Sequence, residues 1–144
     1  MKRDYPDRPI VGVGAVIVED GRALLVRRGT EPLKGEWSIP GGVVELGETL
    51  RAAASREAKE ETGLEVEAGE VLEVVDRILR DPASKVQYHY VLVDFLCRRI
   101  SGEPHAGEDA SELRWITEPE LDSFPIADSA AAVVRKGLEK APKS

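Results

Sequence analysis

The sequence predicts an α+β fold in which helices pack on a mixed or antiparallel sheet. Three observations carry this expectation. Apolar runs rich in Val, Ile and Leu arrive as hairpins, only two or three stretches read as helix, and strand and helix do not alternate as they would around a doubly wound parallel sheet. The 144 residues contain no repeat, low-complexity stretch or long linker. One domain spanning residues 1–144 is therefore expected.

The elements follow in order. Val11 to Glu19 and Ala23 to Val26 are apolar runs separated by Asp20-Gly21, a hairpin signal because glycine accepts the positive φ that tight turns require. A loop through Gly29, Pro32 and Gly35 leads to a short strand at Trp37-Ser38-Ile39, which Pro40-Gly41-Gly42 should break. Thr49 can cap a helix running to Thr62, and Gly63 suits its left-handed close. Val71 to Leu79 and Val86 to Ile100 read as long strands around the loop Asp81 to Lys85. Leu113 to Ile116 adds a short strand, Pro119 starts a helical turn after Thr117, and Asp128 can cap a last helix through Val133, Val134 and Leu138.

Hydrophobic residues at 42% and charged residues at 33% suit a folded globular chain. The net charge of -7 is concentrated, since Glu48 to Asp76 holds nine acidic residues against three basic ones. Such a surface argues against a nucleic-acid partner, unless divalent cations stand between acid and phosphate. The start, Met1-Lys2-Arg3-Asp4-Tyr5-Pro6, has no long apolar run, and no later stretch is continuous enough to span a bilayer. No membrane partner and a cytoplasmic location are the expectations. The only cysteine, Cys97, lies in an apolar run and reads as a buried thiol without chemistry.

The helix from Leu50 to Thr62 carries an unusual charge pattern. At about 100° per residue, with Leu50 at zero, Glu57 lies near -20°, Glu61 near +20° and Glu60 near -80°, all within the stripe that Leu50, Ala53 and Ala54 define. An Arg-Glu-Ala-Lys-Glu-Glu run on an arbitrary helix is usually a solvated face. Here Glu57 repels Glu60 and Glu61 by about 0.2–0.5 kcal/mol per pair. Acids in a last turn also face the negative end of the helix dipole, at roughly 0.3–1 kcal/mol each. Both costs point to a cation, and hard oxygen donors without a His or Cys pattern favour Mg²⁺, with Mn²⁺ as an alternative. Arg56 stands four positions before Glu60 and can pair with it.

Gly42, Glu48, Arg56-Glu57-Ala58-Lys59-Glu60-Glu61 and Gly63-Leu64 fill every fixed position of the pattern Gx5Ex7REUxEExGU, where U is aliphatic. The chain thereby resembles the Nudix hydrolase family. Trp37 to Gly42 before the box and Glu112 to Ile116 after it are also similar to that family, and Ala58 is a small residue at an aliphatic position. The resemblance implies a Nudix-type α/β/α sandwich with a mixed sheet. It further implies Glu57 and Glu61 as principal metal ligands, Glu60 as a direct or water-mediated one, and the Gly41 carbonyl as a further donor. Arg56 would orient the acids, and Glu48 would support the loop.

The expected reaction is hydrolysis of a phosphoanhydride in a nucleoside diphosphate linked to another group. The proton acceptor stays open between Glu57 and Glu108 in the downstream loop, with Glu112 and Glu103 as rivals, while His105 reads as solvated. Arg27 and Arg28 at a strand end, with Gly42, are candidate substrate contacts. Tyr88 and Tyr90 share one strand face and are candidates for stacking on a base. The short chain and Pro82 after the box resemble the members acting on ADP-ribose or nucleoside-diphosphate sugars. Nucleoside triphosphates, dinucleoside polyphosphates and non-catalytic nucleotide sensing are the alternatives, and a homodimer is the family-based expectation.

Overall fold

The Asp20-Gly21 turn does what its sequence requires: both residues have positive φ, 52° and 73°, and the strands they join pair antiparallel, Val18 opposite Ala23 and Glu19 opposite Arg22. In the computed structural model, which describes residues 2–30 and 33–142, these strands are β1 (Ile10–Glu19) and β2 (Arg22–Arg28). Pro32 of the expected loop and the last residues of the polar tail lie outside the described residues.

Five further strands, β3 (Trp37–Ser38), β4 (Gly41–Val43), β5 (Glu65–Arg80), β6 (Val86–Ser101) and β7 (Ala110–Thr117), complete a sheet with the order β3-β2-β1-β6-β5. Off that path β4 pairs with β1 and β7 with β2. The sheet is mixed because β1 and β6 run parallel over Ile10 to Ile17 while the other pairings are antiparallel. Two strands start well before their expected bounds: β5, which begins at Glu65 and carries register shifts between Ala68 and Glu73, and β7, which begins at Ala110 rather than Leu113.

Helix α1 (Leu50–Thr62) covers one face and α3 (Asp128–Lys140) the other, with the single turn α2 (Glu118–Leu121) beside α3. Alternation along β1 explains the two layers. Val13, Ala15 and Ile17 join Ala53, Ala54, Ala58, Leu64 and Phe95 on the α1 side, whereas Val16 meets Leu72 and Val133 on the α3 side. A fully buried Phe or Ile of this kind contributes about 1.5–3 kcal/mol, so both helices are fixed by the sheet rather than by their own propensity.

Three expectations need correction. Gly41-Gly42 is not a breaker but most of a strand, paired with Gly14 and Val13. Leu50 is 37% exposed, so it is not the centre of the buried stripe of α1, which instead runs through Ala53, Ala54, Ala58 and Thr62. Asp128 is the first helical residue of α3 and not its cap; Ala127 precedes it with no side-chain cap bond. There the carboxylate meets the positive end of the helix dipole.

Candidate active site

The site begins where two strands without side chains meet the last turn of α1. A Cβ on Gly42 would lie 2.5 Å from Glu57 Oε1 and 2.6 Å from its Oε2, so only glycine lets this carboxylate rest against β4. Glu57 thus lies over the side of Gly42 where a side chain would stand, and Gly42 itself is half-buried and outside the cavity lining. The Gly41 N–H donates to Glu61 Oε2 at 2.7 Å. Thr49 caps the helix by accepting from the Ala52 N–H, and Gly63, with φ 77°, closes it by donating to the Lys59 carbonyl. The acids are thus carried on a helix fixed at both ends.

Arg56 stands behind them and outside the cavity lining. Its Nε and Nη2 fork onto Glu48 at 2.7 and 3.0 Å, its Nη1 donates to Glu57 at 2.8 Å, and Nη2 also reaches the Val43 carbonyl at 3.1 Å. Glu60, the partner expected from spacing, takes only the longer contact of 3.3 Å. A two-pronged contact fixes orientation as well as charge, so the chief partner of Arg56 is Glu48. Arg56 holds the Glu48 carboxyl at about 2, helped by the Glu45 N–H.

The three box glutamates differ. Glu60 keeps a side chain 58% exposed and lies outside the buried stripe; Glu57 is down to 15%. Burial raises the Glu57 carboxyl, against the pull of Arg56. Burial pushes Glu61 up to about 8, with Glu57 adding to the shift and the Gly41 N–H and Arg28 opposing it. Among the described residues no three acid, His or Cys groups are already gathered as a metal site. Glu57 and Glu60 accept from Arg56, while Glu61 accepts from the Gly41 amide.

Glu57, Glu60 and Glu61 nevertheless line one open cavity of about 470 Å³ with Gly41, Arg27, Arg28, Glu108 and Asp109. Arg27 is partly committed there, donating from Nε to the Gly35 carbonyl and standing 3.8 Å from Glu112. His105 sits away from this lining, packed against Gly63 with its backbone N–H on the Thr62 carbonyl. Tyr88 and Tyr90 stack on each other at 6.4 Å between centroids. Cys97 is buried and its thiol pushed up to about 12, which makes it inert.

Sequence reasoning missed Arg3, which also lines the cavity. Residues preceding β1 are strapped across the molecule: Tyr5 donates its hydroxyl to Asp81 at 2.7 Å and its N–H to the Gln87 carbonyl, and Lys85 lies over its ring. The Asp81 to Lys85 loop that receives Tyr5 is itself closed by Asp81 Oδ1 accepting from the Ala83 and Lys85 N–H groups. A lone Tyr in a polar leader was the sole sequence sign.

The family model of the NUDIX domain matches residues 8–137. The chain is 38% identical over 117 residues to an ADP-ribose pyrophosphatase of Methanocaldococcus jannaschii, a match covering 81% of this chain and 65% of that protein. It is 40% identical over 114 residues to a putative 8-oxo-dGTP diphosphatase 2 of Mycobacterium tuberculosis, covering 78% and 75%. A crystal structure of a MutT NUDIX hydrolase from Burkholderia pseudomallei superposes with a TM-score of 0.74 at 34% identity, covering 90% of this chain and 98% of the other. The match spans just under two thirds of the archaeal relative's length. With the box residues in place on α1 and β4, the mixed sheet between two helical layers and the profile covering nearly the whole sequence, the chain belongs to the Nudix family.

Proposed function

We propose that this protein hydrolyses the phosphoanhydride of a nucleoside diphosphate linked to another group, with ADP-ribose or a nucleoside-diphosphate sugar as the first candidate. One observation carries the reading: three carboxylates and the arginines Arg3, Arg27 and Arg28 face the same open cavity. Arginines suit phosphate oxygens, whereas glutamates alone would repel them.

The donor set fits a hard divalent cation. Glu57 and Glu61 would hold it, with the Gly41 carbonyl and Glu60 as further oxygen donors, and the Glu61 carboxyl, raised chiefly by burial, is a group whose charge a cation would stabilise. Bound there, Mg²⁺ or Mn²⁺ would supply polarisation of the phosphate oxygens and a more acidic water. The chain's own groups do the rest. Arg56, a positioning residue, fixes Glu57 through a guanidinium locked by Glu48 and Val43. Arg3, Arg27 and Arg28 bind the outer phosphate oxygens. Glu108, which lines the same cavity, accepts the proton of the attacking water, with Glu57 as its rival.

The archaeal relative named for ADP-ribose supports the first candidate, and the mycobacterial one named for 8-oxo-dGTP supports a triphosphate substrate as second reading. Purified protein with Mg²⁺ should release a nucleoside monophosphate from ADP-ribose or a nucleoside-diphosphate sugar. Release of inorganic diphosphate from triphosphates alone would move the proposal to the second reading. Tight nucleotide binding without turnover of any compound would replace hydrolysis by sensing.

A further inference from the structure

Among the described residues Asp94 is the charged residue with the least exposure, 8%. It stands in β6 on the face away from α1, because its neighbours Val93 and Phe95 both point into the α1 layer. No described residue hydrogen-bonds its carboxylate. Buried acids are ordinarily satisfied by backbone amides or arginine, and an unpaired one costs stability. Burial pushes this carboxyl up to about 6, with Glu73 beside it adding to the shift.

Its direction is fixed by a glycine. A Cβ on Gly14 would overlap Asp94 Oδ1 and lie 3.3 Å from its Cγ, so the carboxylate leans from β6 over β1 through the space a side chain would fill. Gly14 pairs with Asp94 on one side and with Gly41 on the other, and the Gly41 amide holds Glu61. The acid thus lies in the same cross-strand row as the box, with β6 and β4 two strand spacings, about 10 Å, apart. Ile39 borders it, entering the space over Gly14 from the chain that leads into β4.

Asp94 disfavours a phosphate at this spot, while Glu73 beside it is already paired with Lys136 of α3. The spot suits a neutral hydrogen-bond donor beyond the ribose of a nucleotide whose diphosphate is at the box. We propose that Asp94 anchors the base of the substrate by accepting a hydrogen bond from its exocyclic amine. The inference rests on the nucleoside-diphosphate reading above and names the part of the substrate that the box does not touch.

The test compares bases that carry the amine with their oxo counterparts: adenine and guanine against hypoxanthine, and cytosine against uracil, each as the nucleoside-diphosphate ribose with Mg²⁺. In at least one pair the wild type should favour the amine by about ten- to a hundredfold in kcat/KM. Asp94→Asn should bring that ratio close to one, chiefly through KM, while its Tm stays level or rises because an unpaired buried charge has gone. Calorimetry of AMP, GMP and CMP against IMP and UMP on wild-type protein without divalent ion reads the same preference independently of the variant. Turnover with no amine preference in any pair, or an Asp94→Asn protein that keeps the preference and loses stability, would overturn the inference and leave the hydrolysis reading intact. Binding of amino bases without turnover of any compound would support the anchor while removing that reading.

Discussion

Helices α1 and α3 have thirteen residues each and cap opposite faces of one sheet, yet their charges are arranged in opposite ways. In α3 an acid, Asp128, opens the first turn and Lys140 closes the last, as the helix dipole favours. In α1 the first turn has no acid, while Glu60 and Glu61 crowd the last, with Lys59 turned away to Glu65. The buried faces differ too. α3 buries Val133 and Val134 alongside Ala131 and Gly137, whereas α1 buries only Ala53, Ala54, Ala58 and Thr62, with Glu57 resting against Gly42. One helix follows its dipole; the other sets acids against it, at the wall of the cavity.

The largest effect should come from breaking α1 at its acids. Glu57→Gln or Glu61→Gln should reduce turnover by about a hundredfold or more, since each removes a ligand and not merely its support. Thermal unfolding should change little, because each also removes repulsion of about 0.2–0.5 kcal/mol per neighbouring acid. Equal activity would refute the ligand assignment. Arg56→Lys comes next: an ammonium cannot fork onto Glu48 and reach Glu57 and Val43 together, so Mg²⁺ affinity, read by titrating activity, should fall about tenfold or more.

A pH series separates the helices without mutation. Glu61 is raised from its ordinary value of 4.5 to about 8. Its contribution to stability is therefore fully present below 4.5 and lost as pH rises through 8, because the folded state binds the proton more tightly than the unfolded one. Metal-free protein should lose Tm from pH 6 to 9, and Mg²⁺ should restore more Tm at pH 9 than at pH 6. A Mg²⁺ gain that shrinks with pH would contradict the site. Arg3→Ala should raise KM severalfold with kcat nearly unchanged, as expected for loss of a phosphate contact made in ground and transition state alike. Smallest of all, Lys140→Glu in α3 should cost a few tenths of a kcal/mol by denaturant unfolding and leave turnover untouched.

The contrast also explains what could be read in advance. α1 was legible almost to the residue because cap, acids and closing glycine are all local in sequence. The β1–β2 hairpin was legible for the same reason. Gly41-Gly42 was not, since a strand without side chains has no pattern; its conformation comes from the ladder to β1 and from the acids resting on it. Leu50 was misjudged because the sheet, and not the helix, decides which stripe is buried. Arg3 depends on a Tyr5–Asp81 bond that joins residues 76 apart, and Glu48 outranks Glu60 at Arg56 through a loop fold that helical spacing cannot reveal. Asp94 did leave a mark, a charge within Val-Leu-Val-Asp-Phe-Leu-Cys, but its meaning needed Gly14 beside it.

The buried thiol of Cys97 has a practical consequence. With a single cysteine, shielded and hard to ionise, the native surface offers nothing to a maleimide. Thr30 is exposed and lines the cavity, so Thr30→Cys would give one dye at one address. Its fluorescence could then time nucleotide arrival and product departure separately from cleavage.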